Sequence, residues 1–160
     1  MTAELRLELL GGLRITQHGA ALTTFASSKA PALLCYLAVT GRPHFRAALA
    51  ALLWTDLPED AARLNLRVVL NNLRKQVAPH LVITRDTVAF NCNSAYWLDV
   101  EVFLRDVEAS TATPDPSRLR AAVGLYQGDF LEGFYVRDAP AFEEWATGLR
   151  ERLRHLARGF

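Results

Sequence analysis

The sequence predicts an α+β protein: a winged helix-turn-helix with a small antiparallel sheet and a β-hairpin wing, followed by an all-α segment of helical hairpins. Three observations predict it. Leucine and isoleucine alternate with polar residues at period two over residues 5–16. The apolar period changes to the helical one across residues 28–78. Two short β-favouring runs follow, Leu81-Val82-Ile83-Thr84 and Thr87-Val88-Ala89-Phe90, split by Arg85-Asp86. Strands, helices and then a hairpin, with the last helix basic on its free face, is the winged helix-turn-helix arrangement.

The first strands place Leu5, Leu7 and Leu9 opposite Arg6 and Glu8, and Leu13 and Ile15 opposite Arg14 and Thr16. Gly11-Gly12 between them reads as a tight turn or as a bulge in one long strand. Gln17-His18-Gly19 is a second turn, leading into a short strand near residues 20–23. Ser27 or Ser28 caps the first helix, with Pro31 in its first turn and Gly41 at its end. Leu33, Leu34, Leu37 and Ala38 form its buried stripe. A second, short helix covers about residues 44–54, and Asp60 is a candidate cap for the third.

The third helix, about residues 61–78, carries the most information. Ala62, Leu66, Val69, Leu70, Leu73 and Val77 fall within a ~120° arc that must be core. The opposite face holds Leu64, Val68, Asn71, Asn72 and Lys75, with Arg67 and Arg74 on one flank and Arg63 nearby. No acidic residue lies between Ala61 and Ala78, whereas a solvated helix usually mixes signs. A major groove admits one α-helix. There Asn pairs with adenine, Arg with guanine, and aliphatic side chains meet thymine methyls. Asn71, Asn72, Arg67 and Arg74 supply the polar types, and Leu64 and Val68 the aliphatic ones. The same two aliphatics would equally suit packing under a loop or against the second helix. Arg85 at the hairpin tip suits phosphate or the minor groove. Lys29, Arg42 and Arg46, near the starts of the first two helices, are candidate phosphate anchors.

Beyond the hairpin the pattern is helical. Helices are predicted over about 99–109, 118–126 and 142–157, with a connection at 110–117 and interruptions at Gly133 and Asp138-Ala139-Pro140. Two units follow from this: a winged-helix unit over residues 1–93 and a partial helical unit over 94–160. Charge divides in a similar way. Residues 1–91 hold ten Lys and Arg against six Asp and Glu, and residues 92–160 eight against eleven. The basic front is the half suited to a polyanion.

Composition narrows the classes. The chain has 160 residues, 51% of them hydrophobic, and a formal net charge of +1. Its mean hydropathy is +0.07. No apolar run approaches the ~20 residues of a membrane span. Met1-Thr2-Ala3-Glu4 lacks the basic, apolar start of a signal peptide. Two isolated cysteines, Cys35 and Cys92, exclude a disulfide scaffold and fit a reducing, cytoplasmic setting. The four histidines have no ligand spacing, no glycine-rich loop precedes a lysine, and Glu143-Glu144 point apart on a helix. Neither catalysis nor a cofactor is expected. Cys35 reads as a packed core thiol and Cys92 as an exposed one.

Several segments resemble one family. They are Leu9-Leu10-Gly11-Gly12-Leu13-Arg14-Ile15, Ser28-Lys29, Ala51-Leu52-Leu53-Trp54, and Ala62-Arg63-Leu64-Asn65-Leu66-Arg67 running into Asn72-Leu73-Arg74-Lys75. Val100-Glu101-Val102-Phe103 and the run from Ala121 to Leu131, with Tyr126-Gln127-Gly128-Asp129-Phe130-Leu131, extend the match. Together they resemble the antibiotic regulatory protein (SARP) family of bacterial transcriptional activators. Ala30-Pro31 and His44-Phe45 depart from its pattern. The resemblance implies a response-regulator-type winged helix and a tetratricopeptide-like bacterial transcriptional activation domain, here incomplete. It also implies double-stranded promoter repeats and RNA polymerase as partners. A homodimer on DNA is a further possibility, and the chain is expected to be part of something longer. Two rivals stand beside a DNA-binding activator. One is a protein-interaction module whose winged helix binds no DNA. The other is a ligand- or phosphopeptide-sensing regulator.

Overall fold

The computed structural model describes residues 4–159; residues 1–3, on which the reading of the N-terminus as no leader rests, and residue 160 lie outside them. The chain is α+β. Strands β1 (Leu5–Glu8), β2 (Arg14–Gln17) and β3 (Ala20–Ala21) open it as an antiparallel sheet. Leu5, Leu7 and Ile15 are buried and Arg6 and Arg14 exposed, as period two requires. His18-Gly19 forms the two-residue turn between β2 and β3, both residues at positive φ. Gly11-Gly12 lies where the chain reverses from β1 into antiparallel β2, so the turn and not the bulge forms, though in a connection longer than a tight turn (residues 9–13) that also pairs with residues 129–131. Leu131 N–H donates to Leu9 O at 2.8 Å, and Gly11 N–H to Asp129 O at 3.0 Å. A Cβ on Gly128 would stand 3.0 Å from the Gly11 Cα, and Gly11 itself has φ +112°. This crossing therefore admits only glycines.

Helix α1 (Lys29–Thr40) is buried on nearly every side, broader than the predicted stripe. Ser27, not Ser28, uses its side chain at the start, Oγ accepting the Lys29 N–H at 3.3 Å. Gly41 closes the helix at φ 64°, donating to Leu37 O. The second helix starts later than expected. His44–Phe45 is a strand, β4, and α2 runs only Arg46–Leu53. Pairing explains the difference: β4 adds to the hairpin, with His44 opposite Val88 and Phe45 opposite Thr87.

Helix α3 (Glu59–Val77) begins before Ala61. Pro58 occupies the cap position, its C=O accepting the Ala62 N–H. Asp60 is not the cap; with Glu59 it sits in the first turn, where a carboxylate complements the helix dipole. The buried residues of α3 are Ala62, Leu66, Val69, Leu70, Leu73 and Val77, the predicted core face. A 3-10 turn (Ala78–His80) leads into β5 (Leu81–Ile83) and β6 (Thr87–Phe90), giving a three-stranded wing in the order β4-β6-β5.

A strand with no period-two signature follows. β7 (Tyr96–Leu98) joins the N-terminal sheet in parallel with β1, making the order β3-β2-β1-β7. Helices α4 (Asp99–Ala112), α5 (Pro116–Leu125) and α6 (Pro140–Arg158) complete the chain. Helix α4 outruns its predicted end into the expected connection, and Asp115 caps α5 by accepting from Ser117 and Arg118 N–H. One apolar core joins both halves, from Leu5 and Leu33 to Phe103, Phe130 and Phe142. Cys35 lies inside it, its thiol pushed up by burial, while Cys92 is exposed. No described helix is long and apolar enough to cross a membrane.

At the joint, the buried Asp99 carboxylate accepts three backbone N–H groups: Leu9 and Leu10, both at 2.9 Å to Oδ2, and Val100 at 2.8 Å to Oδ1. Burial raises its carboxyl above the ordinary value, and the three N–H bonds pull it back. Asp99→Ala would leave those donors buried without partners. At ~1 kcal/mol or more each, the expected loss is about 3 kcal/mol or more, read as a lower urea midpoint.

Burial lowers the pKa of two histidines. His80 is fully enclosed, stacked on Phe90 and hydrogen-bonded to Ser94 Oγ at 2.8 Å. Burial lowers its pKa; Glu4 opposes that and His18 adds to it. His44 is lowered by burial and then by Arg42. The unfolded chain takes up protons as pH falls through ~6.5, while the folded chain does so only at lower pH. Stability should therefore be full above ~6.5 and fall on acidification. Denaturant midpoints at pH 7.5 and 5.5 check this, and His80→Gln should shrink the difference.

Candidate nucleic-acid interface

The free side of α3 is polar at its edge and aliphatic at its centre. At 100° per residue, Leu64, Val68, Asn71 and Lys75 fall within a ~60° stripe. Leu64 is 59% exposed and Val68 56%, and Asn71 and Lys75 are exposed beside them. Helix α3 packs on α1 and α2, and α6 packs on α2. The two aliphatics thus do not serve as packing under a loop.

Arg63, Arg67 and Arg74 line one flank of this stripe, all exposed. That flank faces the wing and the start of α2 across two adjoining hollows. Arg46, Arg67 and Arg85 line both of them. Arg63, Phe45, Ala47, Leu66 and Asp86 complete the first, and Leu70, Asn71, Arg74 and Ile83 the second. Five arginines therefore converge on one cleft. Of the three flank arginines only Arg63 has an ion-pair partner among the described residues, Glu59 at 3.2 Å.

The wing tip is locally fixed. Thr84 N–H donates to Thr87 O at 2.9 Å, and Thr87 N–H to Thr84 Oγ1 at 3.0 Å, so Arg85-Asp86 forms the predicted two-residue tip. Arg46 ties that tip to α2. Its guanidinium donates to Thr84 O at 3.0 Å, and its backbone N–H to Asp86 O at 3.0 Å.

Three sequence candidates stand differently. Lys29 packs its ammonium over the Trp54 ring at 5.0 Å, and burial lowers its pKa against a smaller opposite effect of Asp138. It lines neither hollow. Arg42 also lies outside them. It precedes β4 at the end away from the wing tip, beside His44 Nδ1 at 3.4 Å. Asn72 sits on the stripe's far side, half-buried, and its Oδ1 accepts the Ala26 N–H at 3.2 Å. Sequence reasoning missed Phe45, which is 70% exposed at the cleft rim. Its signal was the unusual His44-Phe45 pair, whose meaning depends on a strand pairing that local pattern does not reveal.

No protein-family model matches the chain, and no curated protein matches it. Among solved structures, the fold is similar to that of EmbR from Mycobacterium tuberculosis, determined in complex with a low-affinity phosphopeptide. The TM-score is 0.73 at 25% sequence identity. The match covers 96% of this chain and 44% of EmbR, so the chain spans less than half of that protein's length. Among the described residues, no three His, Cys, Asp or Glu side chains come together as a metal site.

Asn72→Ala removes the acceptor that ties Ala26 to α3. A stability loss of about 1 kcal/mol is expected, with faster hydrogen exchange at the Ala26 amide. Unchanged exchange at that amide would show that the tie carries no weight.

Proposed function

We propose that this chain is the sequence-specific, duplex-DNA-binding part of a bacterial transcriptional activator. The likeness in fold to EmbR and the segments that resemble the antibiotic regulatory protein family support this reading. The carrying observation is the uncovered α3 stripe beside a cleft walled by Arg46, Arg63, Arg67, Arg74 and Arg85.

In this reading α3 lies in the major groove. Leu64, Val68, Asn71 and Lys75 face base edges. The arginine flank follows one phosphate strand, and Arg85 carries the wing onto the backbone. The Arg46 N–H is given to Asp86 O, and the N–H groups of exposed Ala47 and Ala48 in the first turn of α2 offer a further phosphate contact. Asn72 acts by positioning the loop that abuts α3. Lys29 and Arg42 are at most peripheral to the cleft.

The winged-helix unit is residues 1–93. Residues 94–160 begin the helical activation unit, whose outer surface would meet RNA polymerase, and pairing of copies would follow the spacing of promoter repeats. The setting is the cytoplasm. The cleft is read as a binding surface: five guanidiniums surround Phe45, Asn71 and several aliphatics, with Asp86 the one carboxylate in its lining.

Selection of bound duplexes from a random pool with the 160-residue chain tests this. Five phosphate contacts predict a fall in affinity of roughly 500-fold between 50 and 200 mM salt. Arg85→Ala should weaken all duplexes alike. Absence of any retained duplex at low salt would favour a protein-interaction module instead.

A further inference from the structure

The exposed aliphatics on α3 name part of the sequence that the cleft reads. Leu64 and Val68 stand one turn apart, each more than half exposed. An uncovered leucine and valine in contiguous positions need an apolar partner. Their surroundings restrict what that partner is. Arg67 lies between them in sequence, Arg63 and Arg74 flank them, Lys75 continues the stripe, and no acidic residue follows Asp60 before Ala78. A hydrophobic protein surface would have to approach through this cationic rim. A polyanion approaches it readily, and in unmodified duplex DNA the major groove offers one apolar group, the C5-methyl of thymine.

Spacing sharpens the assignment. Residues four apart on a helix are separated by about 6 Å along its axis, and base pairs by about 3.4 Å. A helix lying along the groove therefore sets Leu64 and Val68 roughly two base steps apart. Asn71 falls in the same stripe beyond Val68, an amide in line with two aliphatics.

We propose that Leu64 and Val68 select thymine, by contact with the C5-methyl groups of two thymines about two base steps apart. The inference rests on the DNA-binding reading and adds what that reading leaves open, the base identity at two positions. It also separates two roles on one helix: the arginine flank sets affinity and salt dependence, and the aliphatic pair sets preference.

Deoxyuridine substitution supplies the test, because it removes the methyl and leaves every hydrogen-bonding group of the base in place. The 160-residue chain is titrated with a duplex recovered from the random pool, replacing its thymines one at a time. Affinity should fall about fourfold at two positions, the burial value of one methyl group. Leu64→Ala should make the chain indifferent to thymine or deoxyuridine at one of these positions, and Val68→Ala at the other. Both side chains are exposed, so the variants fold, and their salt dependence should match the parent's. Equal affinity for thymine and deoxyuridine at every position, with the duplex still bound, overturns the inference and leaves DNA binding standing. No binding of any duplex overturns both.

Discussion

The Asp99 carboxylate fixes how the two halves of this molecule meet. It accepts N–H groups from Leu9 and Leu10 at the end of the first strand and from Val100 at the start of α4. A buried carboxylate is costly unless its oxygens are filled, and these three donors fill them. The contact seats β7 parallel to β1 and aims α4 along the sheet. Residues 129–131 then close on residues 9–11 across the Gly11–Gly128 crossing. Helix α6 locks that segment in turn, with Arg154 on Asp129 at 2.7 Å and Arg150 donating to Phe130 O. Burial at this joint is aromatic as well: Trp145 meets Tyr36 of α1 edge-on, with ring centroids 4.8 Å apart.

Because the helical half is committed to the sheet and to α1 and α2, it cannot also cover α3. Helix α3 gives the core the face containing Leu66, Leu70 and Leu73. Its other face would ordinarily be sprinkled with charges of both signs. Here it keeps two aliphatics in water, at a cost of some 25 cal/mol per Å² left exposed. Such a cost is tolerated where a surface is used, and the arginines around it define what could use it.

How much of this was legible in the sequence follows from the range of the forces involved. The core face of α3 was readable residue by residue, since one helix and one period decide it. The hairpin and its Arg85-Asp86 tip were equally local. Strands β4 and β7 were not. Two and three residues long, they exist through partners more than forty and ninety positions away, Val88 for His44 and Leu5 for Tyr96. The error at the start of α2 has the same origin, because His44 is drawn into a sheet that local propensity does not encode. Lys29 was misleading because a lysine's charge is visible in sequence while the aromatic ring that receives it, Trp54, is a matter of tertiary placement. Asn72 shows the converse. Its residue type suited a base edge, and the structure gives its oxygen to the backbone of Ala26.

The arginine cleft is also organised before any ligand arrives. Arg46 bonds to both sides of the wing turn, through its guanidinium to Thr84 O and through its backbone to Asp86 O. The turn is closed across its own base by Thr84 and Thr87. Through β4 the wing is continuous with α2, and α2 packs on α3. Arg85, Arg46 and the α3 flank therefore keep one relative geometry, and little ordering of the backbone remains to be done on binding. Association is weakened by whatever freedom the partners must lose. A surface of long arginines on a fixed frame confines that loss to side-chain rotamers. This is the arrangement that lets a modest net charge of +1 coexist with a strongly cationic local surface. Eleven of the seventeen acidic residues lie in residues 92–160, and within the cleft lining Asp86 is the one carboxylate among five arginines.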